Sequence, residues 1–84
     1  MMEVKKSTYT VEGSTEPCYL VTNGYATVRI AKCYHLLGRN TLYVTTYLDG
    51  EWNGEEEVSG DFDSLTYTEA RRIAKQNCAY LCDY

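Results

Sequence analysis

Carboxylates are the one chemically useful group that this chain concentrates. Asp49, Glu51, Glu55, Glu56, Glu57, Asp61 and Asp63 fall within fifteen residues that contain no Lys or Arg, with Trp52 and Phe62 interspersed. Outside this window five acids stand against eight bases, so the window carries −7 and the remainder about +3. Such a run could ligate a cation or face a basic partner. The cation reading starts from Asp49-Gly50-Glu51-Trp52-Asn53-Gly54-Glu55, which imitates the first half of a twelve-residue calcium loop. The twelfth position, where a bidentate Glu is required, is Gly60, so the ligand count fails. The partner reading needs only an exposed strand or loop, with Tyr47, Trp52 and Phe62 as apolar anchors. A run of solvated charge that protects a sheet edge is the structural alternative. Two like charges 10 Å apart repel by about 0.4 kcal/mol in water, a cost that a small domain can absorb.

Other constellations are thinner. His35 is the single histidine, without a second histidine or a signature around it. No Gly-rich phosphate loop or nucleophile motif is present, and no catalytic residue, metal site or cofactor is assigned. Arg71, Arg72 and Lys75 form a basic patch, but a net charge of −4 and a pI near 4.8 disfavour direct nucleic-acid binding. Cys18, Cys33, Cys78 and Cys82 could make disulfides or a zinc site. In a regular two-residue hairpin Cys18 faces Arg29. Cys33 then lies four residues on, roughly 13 Å away at strand rise, beyond the ~7 Å bridging limit. Reduced structural thiols are the favoured reading.

The elements that position these residues follow from periodicity and turn chemistry. One domain, residues 1–84, is expected. Tyr, Val and Thr are abundant, with nine tyrosines, and favour strands. Val4 to Val11 reads as an edge strand, followed by a loop from Glu12 to Pro17. Tyr19–Thr22, Asn23-Gly24 and Tyr25–Ile30 read as a hairpin that pairs Thr22 with Tyr25. It places Tyr19, Val21, Ala26, Val28 and Ile30 on a core face, and Leu20, Thr22, Thr27 and Arg29 on the other. The stretch from Ile30 to Gly38 either continues the strand to Tyr34, the preferred reading, or forms two helical turns. Thr41–Leu48 is β, and Asp49-Gly50 makes a second hairpin that sets Leu48 opposite Glu51 and Tyr47 opposite Trp52. Asn53-Gly54 is an alternative turn or a bulge, and Glu55–Val58 completes an acidic edge strand. Thr66 with Glu69 signals a capping box. Ala70, Ile73, Ala74, Asn77, Cys78 and Leu81 then line one helical face. The expected fold class is α+β, an antiparallel meander of four or five strands with one C-terminal helix on one face. Leu20, Tyr43, Tyr47 and Trp52 are left on the second face.

The start of the chain lacks the apolar run of a signal peptide, and no stretch suits a membrane span; an intracellular, cytoplasmic protein is expected. A small acidic domain with a segregated carboxylate surface resembles, as a class, the anti-defence proteins of phages and mobile elements, anti-CRISPR proteins among them. The likeness rests on the Asp49–Asp63 window and the single-domain size. It implies a non-catalytic inhibitor that occludes the nucleic-acid-binding cleft of a nuclease or RNA-guided complex in the host cytoplasm, without touching nucleic acid or membrane itself. Glu55, Glu56, Glu57, Asp61 and Asp63 would oppose basic residues, with Asp61 and Asp63 partly serving the helix N-terminus. The alternatives are a calcium-binding regulatory module and a homodimer built on the exposed sheet edge.

Overall fold

Left-handed turn residues shape the first and last hairpins. In the computed structural model, which describes residues 2–33 and 40–81, Glu12-Gly13 (φ 50° and 82°) joins β1 (Glu3–Val11) to β2 (Ser14–Thr22). Asp49-Gly50 (φ 52° and 83°) likewise joins β4 (Thr41–Leu48) to β5 (Glu51–Ser59). Positive φ at both turn positions matches the twist of the flanking strands. With β3 (Ala26–Lys32) between the two hairpins, the sheet runs β1-β2-β3-β4-β5, antiparallel throughout. Among the described residues one α-helix, α1 (Tyr67–Asn77), packs on it. This is the expected α+β meander, with five strands.

Two local expectations change. The segment from Glu12 to Pro17 is not a loop, because β2 begins at Ser14 and Pro17 lies within it opposite Thr8. Odd-numbered β2 residues aim their main-chain groups at β3, as the Asn23 N–H to Ala26 carbonyl bond (3.1 Å) shows. Pairing with β3 stops at Cys18, so the missing N–H of Pro17 falls where no partner strand remains. In the next hairpin Thr22 pairs with Thr27 rather than Tyr25. Asn23 Oδ1 accepts from the N–H groups of Tyr25 (3.0 Å) and Ala26 (2.8 Å), which widens the connection between the strands to Asn23-Gly24-Tyr25. The slip is two residues, so every side chain keeps its predicted face. It does move Cys18 opposite Ala31, two residues short of Cys33. Cys18 and Cys33 are free thiols, and both are buried, as is Cys78. The strand-or-helix alternative over residues 34–38 lies outside the described residues, as do His35 and Cys82.

The main core forms on the helix-covered face, while Cys18, Ala31 and Thr45 are buried on the opposite face. Tyr19, Val21, Ala26, Val28, Ile30, Leu42 and Val44 from the sheet meet Ala70, Ile73, Ala74, Cys78 and Leu81. Ala70 and Ala74 are fully buried, and their small side chains let the helix approach closely. Thr66 caps α1 by accepting from Glu69 N–H (3.1 Å). The reciprocal half of the capping box does not form, because the Glu69 carboxylate instead holds Arg72 Nε at 2.7 Å. The helix also ends earlier than the periodicity indicates. Asn77 Nδ2 donates back to the Ile73 carbonyl (2.8 Å), Cys78 is extended, and a 3₁₀ turn (Ala79–Leu81) returns Leu81 to the core. Asn23 Nδ2 pins this turn through the Tyr80 carbonyl at 2.9 Å.

Candidate functional site

Strand alternation distributes the acidic window over three places. At the far end of β5, Asp61 caps a 3₁₀ turn (Phe62–Ser64), accepting from Asp63 N–H (3.3 Å) and Ser64 Oγ (2.8 Å). Asp63 pairs with Lys32 Nζ at 3.6 Å. Phe62 is half-buried and sets its ring against Tyr19, centroids 5.5 Å apart. These three candidate residues therefore have roles within the fold. Asp61 serves the short 3₁₀ turn rather than α1, whose cap is Thr66. On the helix-covered side lie Glu51, opposite Leu48, and Glu56, opposite Val44. Glu56 there lines a hollow of about 270 Å³ with Asn53, Asn77 and Tyr80.

The third place is the open face, opposite the helix, where β5 is exposed. Trp52 (opposite Tyr47), Glu55 (opposite Thr45) and Glu57 (opposite Tyr43) share it. A bulge brings them together. The register between β4 and β5 shifts between Thr46 and Tyr47, leaving Asn53 without an opposite number. Without that extra residue Trp52 would share the side of Glu56. Trp52 is 63% exposed, and Glu51, Glu55, Glu56, Glu57 and Asp49 are all exposed. Among the described residues none of these acids has an ion-pair or side-chain hydrogen-bond partner. Glu55 and Glu57 are roughly 7 Å apart along the strand and repel by about 0.6 kcal/mol in water.

Arg29 lies on this face as expected, but its aromatic partners were not foreseen. Arg29 lies between two tyrosines, its Cζ 4.3 Å from the Tyr9 ring centroid and 5.7 Å from that of Tyr47. The guanidinium attracts both ring faces, so Tyr47 is engaged with Arg29, and Trp52 has no ring contact with a described residue. Burial raises the pKa of Tyr9, Cys18 and Tyr43 above their ordinary values. Arg29 opposes the shift at Tyr9 and Cys18, whereas Glu55 and Glu57 add to it at Tyr43. Only the strand register could have revealed the contact with Tyr9, which is remote from Arg29 in sequence.

The calcium pattern is dispersed. Glu51, Asn53 and Glu55 lie along an extended strand instead of curling round a centre, and no group of three metal-ligating side chains converges among the described residues. No helix among them is long and apolar enough to cross a membrane. Comparison with protein-family models, curated proteins and solved structures finds no match.

Proposed function

We propose that this chain is a non-catalytic protein-binding inhibitor whose contact surface is the β5 edge: Trp52, Glu55 and Glu57 at the centre, Asp49 and Glu51 at the hairpin tip. The partner is a protein with a basic cleft that otherwise receives a nucleic-acid backbone, such as a host defence nuclease or RNA-guided complex met in the cytoplasm. In this reading the chain works as do the phage-borne anti-CRISPR proteins it resembles as a class. One observation carries the reading: a Trp exposed to 63% stands on an edge strand beside two carboxylates without counter-ions among the described residues. Exposed aromatic anchors ringed by charge are the usual source of binding energy and of steering towards an oppositely charged site.

The test separates the two sides of β5. Immobilised chain is exposed to a bacterial lysate, and retained proteins are challenged with duplex DNA. Capture is expected to be displaced by DNA, lost in Glu55→Lys/Glu57→Lys and kept in Glu56→Lys. Equal loss from all the charge reversals would show that net charge, and not this face, holds the partner. Capture that DNA does not displace would remove the cleft-occlusion mechanism.

A further inference from the structure

The main chain of β5 adds a second recognition element to its side chains. Among the described residues β5 is the last strand at one end of the sheet. Gly60 N–H donates to the Asn40 carbonyl (2.8 Å), and the register continues Thr41·Ser59, Tyr43·Glu57, Thr45·Glu55. Antiparallel pairs alternate between bonded and unbonded, so Glu55, Glu57 and Ser59 direct their N–H and C=O groups away from β4. The bond from Cys33 N–H to the Thr41 carbonyl (3.1 Å) agrees, because it turns the odd residues of β4 towards β3. The residues with outward main-chain groups are thus the ones whose side chains share the open face with Trp52.

We propose that this edge accepts an extended basic segment of the partner as a sixth strand, with Lys or Arg at alternate positions beside Glu55 and Glu57. The inference rests on the protein-binding reading above and specifies how the partner is held: main-chain pairing supplies affinity, and alternate side chains supply selectivity. A second copy of this chain fits the edge poorly. Two β5 strands would set carboxylates against carboxylates. On β1, the bonded pair Val11·Ser14 beside its turn leaves Val4, Lys6, Thr8 and Thr10 facing outward, and Val4 packs on the helix-covered core. Antiparallel pairing of β1 with β5 would therefore bring the helix-covered side of one copy level with the open face of the other. Parallel pairing avoids this but yields an open-ended chain of copies. A basic strand satisfies both the charge and the backbone.

The probe is the peptide Ac-Gly-Lys-Val-Lys-Val-Lys-Gly-NH₂, titrated into the ¹⁵N-labelled full chain. Two further versions carry N-methyl groups at the Lys or at the Val nitrogens. Expected are shifts and slowed amide exchange at Glu55, Glu57 and Ser59, with affinity lowered about tenfold or more by one methylation pattern and little by the other, since only one edge of the peptide faces β5. Glu57→Pro should abolish binding without disturbing β4, because the N–H it removes points outward; Glu57→Gln should weaken binding only partly. Equal binding by all three peptides overturns strand pairing while leaving the acidic surface intact. No binding by any of them, with lysate capture still lost in Glu55→Lys/Glu57→Lys, overturns it too, because the partner then presents a basic surface that is not a strand. A mass that grows with concentration, and falls to monomer in Lys5→Glu/Lys6→Glu, assigns the edge to a second copy instead.

Discussion

Tyr19 holds the sheet to the segment that leads from the acidic edge into the helix, and truncating it in two stages separates its contributions. The side chain is 3% exposed. Its hydroxyl donates to the Leu65 carbonyl at 2.8 Å, and its ring meets Phe62 and Tyr67 edge-on at 5.5 and 5.7 Å. Tyr19→Phe removes the hydrogen bond alone. Leu65 is only partly buried, so water reaches its freed carbonyl and the cost is about 1 kcal/mol. Tyr19→Ala also removes two aromatic pairs, each worth roughly 0.5–1.5 kcal/mol, and leaves a cavity, for a total of about 3–5 kcal/mol. A domain of this size loses about 4–8 °C of Tm per kcal/mol. Tyr19→Phe should therefore melt several degrees below the parent, and Tyr19→Ala should lose most of a total stability of about 5–8 kcal/mol. Far-UV circular dichroism is the suitable readout, because Trp52 is too exposed to report on the core. If Tyr19→Phe melts with the parent, the hydroxyl contributes nothing. If Tyr19→Ala is no worse than Tyr19→Phe, the ring is not the fastening described.

Two further outcomes follow from the helix. Ile73, buried between helix and sheet, should cost roughly 2–4 kcal/mol as Ile73→Ala, and an unchanged urea midpoint would refute its placement. The Glu69 carboxyl is held below the usual carboxylate range by its hydrogen bond from Arg72 and by the charge of that guanidinium. A depressed folded pKa adds stability above the unfolded value, lost as pH falls through the folded one. Carboxyl NMR titration should accordingly place Glu69 low in the parent and return it to the ordinary range in Arg72→Ala.

Local chemistry made parts of this fold legible in the sequence. Thr66 and Glu69 announced the helix start, and Asp49-Gly50 fixed the last hairpin because a two-residue turn leaves one register. Asn23-Gly24 misled, since the Asn23 side chain bonds two N–H groups and opens the loop. The core survived the error because a slip of two preserves parity. The partners of Phe62 and Asp63, Tyr19 and Lys32, are brought to them by the fold, whereas Asp61, expected to serve the helix N-terminus, bonds its own neighbours Asp63 and Ser64. The division of Glu55 and Glu57 from Glu56 is simple alternation, but the company Trp52 keeps depends on the bulge at Asn53, which the sequence offered only as one option.

That bulge bears on whether the acidic edge merely guards the sheet. A guard needs charge, and Glu55, Glu56 and Glu57 supply it on both faces whatever the side of Trp52. It has no use for an exposed Trp, whose surface of roughly 150–250 Å² gains about 25 cal/mol per Å² when buried. Leaving 63% of it in water forgoes on the order of 2–4 kcal/mol, a large share of what a domain this small possesses. The register shift places that Trp next to the two carboxylates whose main chain also points outward. Aggregation is discouraged by the charges alone, so the combination of exposed ring, carboxylates without ion-pair partners among the described residues and outward-directed backbone favours an edge kept open for a basic partner.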